Sequence, residues 1–365
     1  MWREMKKLWI AMFLMIAIVV AGCGPAENDG NRDDNGIELQ REGAREFNIE
    51  AGAHGYFALS YIEHMQDALP NRLPFTDREL ETAEWIVATL IEMGFSEDQV
   101  EVQTFRYDTP TSTWWGGPER HMERYKETGH YAGRERIDYS QNIILTLPGQ
   151  SAETIVIGAH YDGVGNPGIS DNAAGVALLL ESAYRMQDLD HYYTLQYVFF
   201  GAEEVGLIGV FYFADQLTEV EIDHLILMIN ADVILDGPNL VYAVGYIEEL
   251  PEWPMELVFG GAEAEVLQNA ITMQIDDLAA EDTQLIAKPH AIFSPSDHLA
   301  FLQFGIPIVY FYGTHPVQYP DRFHGDVVHS PDDDLDFIME NFPGRIENAL
   351  DSFGRFLERI LMFEF

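Results

Sequence analysis

The stretch TIVIGAHYDGVGNPGISDNAAGVALLLESA, residues 154–183, decides the fold class. Its opening run, Thr154–Ala159, is short and apolar and ends abruptly at His160-Tyr161-Asp162. A brief apolar run without polar alternation suits a strand covered on both faces. A polar, Gly-rich loop follows, and Ala173–Met186 then carries its apolar residues at helical spacing. Strand followed by helix is the alternation of an α/β sandwich.

Working outward, the same kind of run recurs at Asn142–Leu147, Leu195–Phe200, Leu225–Ile229 and Ile308–Phe311. Ile208–Gln216 reads as a further helix, and Phe342–Phe363 as an amphipathic one with Ile346, Leu350, Phe353, Phe356 and Ile360 on one face. Towards the N-terminus, residues 53–69 and 76–94 carry helical periodicity, and Gly94 supplies a stop. Val100, Val102 and Phe105 mark a short strand. The whole predicts an α/β fold: a three-layer sandwich with a mixed, mostly parallel central sheet flanked by helices. Residues 107–139 and 236–295 show no clear period and read as irregular insertions, the second holding a helix around 262–278. No internal repeat is visible.

The first residues read as a targeting segment. Arg3, Lys6 and Lys7 precede an unbroken apolar run from Leu8 to Val20, too short for a typical spanning helix and right for a signal-peptide core. Val20-Ala21-Gly22-Cys23 resembles a bacterial lipobox, which implies a lipoprotein signal peptide over 1–22, cleavage before Cys23 and a lipid on that cysteine. An ordinary secretory signal is the alternative. Residues 23–36, polar and acidic, read as a flexible tether, leaving 37–365 as a single folded domain. Cys23 is the only cysteine, so intrachain disulfides and cysteine-based zinc sites are excluded. No later apolar run approaches the about twenty residues of a membrane span.

Composition narrows the partners. The formal charge of −41 repels nucleic acid and anionic membrane surfaces. Hydrophobic residues at 47% are enough for a sizeable core, which argues against global disorder.

Polar residues of chemical interest sit where apolar runs end, the place where open α/β sheets build their sites. They are His160 and Asp162, then Asp171 before a helix, then Glu203-Glu204, Asp232 and His329. Each alone has an ordinary explanation. An Asp-Asn before a helix is a common N-cap, and a Glu pair is common surface in so acidic a chain. Their order gives them weight, and two imidazoles with three carboxylates suit zinc, which accepts N and O ligands. Residues two apart on an extended segment face the same side, so Asp162 is expected to hydrogen-bond one nitrogen of His160 and leave the other for metal.

The segments GAHYDGVG, GISDNAAGVALLLESA, FFGAEEVGLIG, INADVI, SPSDHLAFLQFGIP and HSPDDDLDFI resemble the M28 family of zinc aminopeptidases, and LPNRLPFTDRELETAEWIVATLIEMGF is similar to the family's opening helices. The resemblance covers roughly residues 50–360 in outline. It implies a zinc-exopeptidase-like fold and two zinc ions per chain. Asp171 would bridge them, His160 and Asp232 would complete one site, and Glu204 and His329 the other. Glu203 would be the general base, and the Asp171-Asn172 peptide would be cis. The implied reaction is release of N-terminal amino acids from peptides with a free amine, outside the cytoplasmic membrane. Ser296-Asp297-His298 resembles a segment near the family's site, which implies a shaping or hydrogen-bonding role in the pocket; the plainer reading is a loop fixed by its own hydrogen bonds. Some members carry a tyrosine where this chain has Phe293, so help for the oxyanion would come from metal or elsewhere. His191, His224, His315 and His324 read as surface residues. A glutaminyl cyclase-like acyltransferase on the same scaffold, a carboxypeptidase and a non-catalytic binding protein are the competing readings. Retention of every ligand type and of Glu203 argues against the last.

Overall fold

In the computed structural model, strands β1 (Val100–Arg106), β2 (Tyr139–Leu147), β3 (Thr154–His160), β4 (Thr194–Phe200), β5 (Leu225–Ala231), β6 (Asn239–Gly245), β7 (Leu285–Ala287) and β8 (Ile308–Thr314) form one sheet, ordered β1-β2-β4-β3-β5-β8-β6-β7. The structure describes residues 45–109, 136–245, 273–282, 284–287, 296–314 and 326–365. The signal peptide, the tether, Phe293, His315, His324 and most of the 107–139 insertion lie outside them. The described residues fall in one compact unit, Leu39–Phe365. Among them, no helix is long and apolar enough to cross a membrane.

The layers follow from the period of two along each central strand. Ile155, Ile157 and Ala159 of β3 enter one apolar cluster and Val156 the other. β4 sends Leu195, Tyr197 and Phe199 to the first and Val198 and Phe200 to the second. β5 divides Leu227 and Ile229 from Met228, and β8 divides Val309 and Phe311 from Ile308 and Tyr310. Helices Ala58–Asp67, Asp77–Glu92, Ala174–Met186 and Arg345–Met362 cover the first face. Ile208–Gln216 and Leu299–Leu302 cover the second. Both faces of these central strands are therefore covered, which is why they read as continuous apolar runs. Gly158 is needed midway along β3, because a Cβ there would lie 2.6 Å from the Phe200 ring and 2.8 Å from the Met228 methyl.

The central strands β4, β3, β5 and β8 are mutually parallel, while β1, β2 and β6 join by antiparallel pairing. After β3 the chain crosses to β4 on one side, then returns to β5 on the other. That reversal opens a crevice beyond the C-terminal ends of β3 and β5, the favoured site position in such sheets.

Three sequence expectations change. The region 236–295 contains a regular strand, β6, paired to both β8 and β7. Its apolar run follows Gly237-Pro238 and is too short for periodicity to separate it from a loop; pairing across the sheet fixes it. The ends of 107–139 are ordered by the sheet, since Tyr107 N–H bonds the Asp138 carbonyl and β2 starts at Tyr139. The last helix begins at Arg345 rather than Phe342, because Gly344 has a φ of +81° and separates it from the helix Leu335–Asn341.

Candidate metal centre

β3 ends on His160, which is buried, and whose Nε2 lies 3.1 Å from Asp171 Oδ1 and 3.2 Å from Asp232 Oδ1. Asp232 follows the last residue of β5, so adjacent hydrogen-bonded strands fix this pair. Asp171 sits in a tight turn, Ile169–Ala173, at the entry of the helix Ala174–Met186, and its peptide to Asn172 is cis. Asn172 ties that turn to β5: its Nδ2 donates to the Ala231 carbonyl at 2.9 Å, and its Oδ1 accepts from Gly175 N–H at 3.2 Å. Gly175 must lack a side chain, since a Cβ would collide with Asn172 Oδ1 and the Ala231 carbonyl.

The second carboxylate oxygen of Asp171 faces His329, with Oδ2 at 3.0 Å from Nε2, and Glu204 Oε2 lies 3.2 Å from the same nitrogen. Asp171 is thus shared between two donor groups, His160-Asp171-Asp232 and Asp171-Glu204-His329, each with its ligand atoms within 4.8 Å of one another. His329 is 45% exposed, whereas His160 is at 1%. Among the described residues, the structure brings every sequence-proposed ligand into these two groups.

Asp162 behaves differently from expectation. Its Oδ1 is 3.6 Å from His160 Nδ1, beyond hydrogen-bond length, so it acts on the imidazole by charge. Its hydrogen bonds come instead from Glu203 N–H at 3.0 Å and Glu204 N–H at 3.1 Å. His191 also departs from expectation: it is buried, its Nδ1 2.6 Å from the Tyr193 carbonyl.

Sequence reasoning left several supporting residues unassigned. Ser296 Oγ donates to Asp232 Oδ2 at 2.8 Å and accepts from Asn230 Nδ2 at 2.8 Å, so it reaches beyond its own loop. His298 Nδ1 lies 3.3 Å from Asn230 Nδ2, its ring packs against that of Tyr310 with centroids 4.8 Å apart, and burial pushes it down to about 3, leaving it neutral. Asp333 accepts from Ser170 N–H and Asp171 N–H. The fully buried Arg72 donates to the carbonyls of Tyr161, Pro167 and Gly168, joining the loops after His160 and before Asp171. Asp236 Oδ1 accepts from Val327 and Val328 N–H and holds the loop carrying His329. The Ser-Asp-His pattern pointed at Ser296; a single sequence carries no sign that Arg72 or Asp236 is buried.

Charge crowding dominates the electrostatics. Burial pushes Glu203 well above the usual carboxylate range, with His160 opposing and Glu204 and Asp297 adding to it. Burial and the neighbouring Asp171 raise Glu204 to about 7 against the pull of His329. Glu204 is the main cause of the rise of His329 to about 12. Burial would lower His160, but Asp232 and the surrounding carboxylates carry it well above its ordinary value. Asp171 falls far below its ordinary value, since hydrogen bonds to the two imidazoles outweigh its burial. Such a cluster calls for added positive charge. The donors fit zinc in type, and their separations of 3.0–3.2 Å fall near the about 3.4 Å between two ligands of one tetrahedral zinc.

A doubly covered α/β sheet with imidazole and carboxylate donors at its crevice defines an α/β protein with a candidate metal centre. The chain belongs to peptidase family M28, whose family model matches residues 142–353, more than half of its length. A Mycobacterium tuberculosis protein named "Probable lipoprotein aminopeptidase LpqL" is 38% identical over 106 residues, covering 28% of this chain and 21% of that one. Aminopeptidase YwaD of Bacillus subtilis is 33% identical over 99 residues, covering 26% and 22%. These matches span about a fifth of each relative's own length. Among solved structures, BSAP, a zinc aminopeptidase from Bacillus subtilis, superposes with a TM-score of 0.61 at 17% identity, over 85% of this chain and 96% of that one. A Porphyromonas gingivalis glutaminyl cyclase superposes with a TM-score of 0.58 at 20% identity, over 83% and 96%. At those identities the likeness establishes the shared fold.

Proposed function

We propose that this chain is a zinc-dependent aminopeptidase that releases N-terminal residues from peptides at a two-zinc site. His160, Asp171 and Asp232 would hold one ion, and Asp171, Glu204 and His329 the other. The observation that carries this reading is the sharing of Asp171, one carboxylate oxygen 3.1 Å from one imidazole and the other 3.0 Å from the second. Zinc bound there would supply Lewis acidity toward a scissile carbonyl and lower the pKa of water to about 7.

The chain's own residues handle the proton. Glu203 stands beside Glu204, and burial raises its proton affinity. Its carboxylate takes a proton from the attacking water and returns it to the nitrogen of the leaving amine. Asp162 holds the backbone of Glu203 and Glu204 in place while its charge favours the required orientation of His160. The free amine of the substrate meets a site dense in carboxylates, which favours a cationic N-terminus over a blocked one.

The domain 37–365 would act outside the cytoplasmic membrane, held by a lipid on Cys23 after loss of residues 1–22. The naming of a relative as a lipoprotein aminopeptidase supports this. Cys23→Ala should move the protein from the membrane to the soluble fraction.

The deciding experiment incubates purified protein with leucine-initiated, glutamine-initiated and N-acetylated peptides, with and without chelator and added zinc. Release of free leucine and glutamine, none from the acetylated peptide, and loss of activity with chelator are expected. Pyroglutamate in place of free glutamine would replace the peptidase reading with the cyclase one.

A further inference from the structure

The chain leaves β4 in a way that strands four consecutive backbone donors. Ala202 has a φ of +55°, which turns the chain out of the sheet before Glu203 and Glu204. Buried N–H groups outside a ladder need other acceptors, and here each finds a side chain. Gly201 N–H bonds Asn142 Oδ1 at 3.2 Å, Ala202 N–H bonds Glu79 Oε1 at 2.9 Å, and Glu203 and Glu204 bond the two oxygens of Asp162. Asn142 is on β2 and Asp162 follows β3, so both belong to the sheet that carries the site. Glu79 does not. It lies in the first turn of the helix Asp77–Glu92, before the family-matched region begins at residue 142.

Glu79 is fully buried, and its carboxylate accepts three hydrogen bonds from the described residues. Oε1 takes Ser140 Oγ at 2.6 Å as well as Ala202 N–H, and Oε2 takes Phe75 N–H at 2.5 Å. One oxygen therefore serves the start of its own helix, and the other serves the Glu203-Glu204 loop. Capping a helix needs only the first. Reaching Ala202 needs the full length of a glutamate.

We propose that Glu79 is a positioning residue for Glu203, fixing the loop of the general base through Ala202 N–H. This rests on the reading of Glu203 as the base. Its consequence is that side-chain length, rather than charge, is what the loop requires at position 79. Glu79→Gln keeps an oxygen that can still accept from Ala202 and Ser140, while placing an amide against Phe75 N–H. Glu79→Asp keeps the charge but withdraws both oxygens by one methylene, from Phe75 N–H at the helix start as well as from Ala202 N–H, and Thr76→Ala controls for the weakened helix start.

The test compares Glu79→Gln, Glu79→Asp and Thr76→Ala, each zinc-loaded and at a temperature where circular dichroism shows matched folded fractions. Thr76 caps the same helix, its side chain accepting from Glu79 N–H, and does not touch the loop. Expected are kcat within about threefold of the parent for Glu79→Gln and Thr76→Ala, and a loss of about tenfold or more for Glu79→Asp with KM little changed. Hydrogen exchange on the metal-free protein provides a second readout: amides 201–204 should exchange faster in Glu79→Asp alone. Equal kcat and exchange in Glu79→Asp and the parent would overturn the proposal, as would a Thr76→Ala loss matching that of Glu79→Asp. Glu203→Gln is assayed alongside. If that variant keeps full turnover, the base reading fails by itself, and the exchange data still decide whether Glu79 fixes the loop.

Discussion

The two donor groups share Asp171 and the same chemistry, yet they are built unequally. His160 and Asp232 stand at the ends of neighbouring parallel strands, where sheet register sets their spacing, and both are nearly inaccessible. Glu204 and His329 stand on loops whose backbones hang from side-chain carboxylates: Asp162 and Glu79 for one, Asp236 for the other. His329 itself has a φ of +55° and is substantially exposed. A strand end is positioned by many cooperative hydrogen bonds, whereas a loop depends on a few acceptors that single substitutions remove. On the proposed two-zinc reading, the buried group should therefore hold its ion more firmly, and the loop group should be where affinity is lost first.

The largest effect should come from a residue belonging to neither group. Glu203→Ala is expected to lower kcat by about 10³-fold while zinc content by atomic absorption stays at the parent level. Retained turnover would remove Glu203 from the chemistry; lost zinc would make it a ligand and erase the distinction between groups. Next come the histidines. His329→Ala should leave one zinc per chain after dialysis and cut kcat about 10²-fold, whereas His160→Ala should also lower the midpoint of thermal unfolding, because it leaves Asp232 Oδ1 and Asp171 Oδ1 deep in the protein without the imidazole they face. Equal stability of the two variants would break the comparison. Zinc uptake must displace the protons that the metal-free imidazoles hold, so affinity should fall as pH falls. A smaller effect tests the loop alone: Asp236→Ala, which strands Val327 and Val328 N–H, should weaken the second zinc by about 10–100-fold and the first hardly at all.

The inequality also explains what the sequence could convey. The buried strands and the order His160, Asp171, Glu204, Asp232, His329 were legible because dry strands write continuous apolar runs and sites follow their ends. The supporting carboxylates were not. Glu79 and Asp236 look like ordinary charged residues in an acidic chain, and only long-range folding reveals that each faces stranded backbone donors. The position of Asp162 two residues after His160 was legible, but its partners were not, because they arrive from β4. β6 was missed for the same reason: its identity lies in pairing with β8.

The smallest effect probes the buried group through a hydroxyl that contacts it. Ser296 Oγ donates to Asp232 Oδ2, leaving Oδ1 as the oxygen directed at His160. Ser296→Ala removes that donor and takes from Asn230 Nδ2 one of its two partners, the other being His298 Nδ1, at a combined cost of about 1–3 kcal/mol. Sheet register still holds Asp232 and His160, so much of that cost should appear as global stability and only about threefold to tenfold as weaker binding of the first zinc. Calorimetric titration with zinc, read beside thermal unfolding of the metal-free protein, separates the two. A loss of first-site affinity as large as that of the second site in Asp236→Ala would mean that the strand ends need side-chain support as much as the loops do.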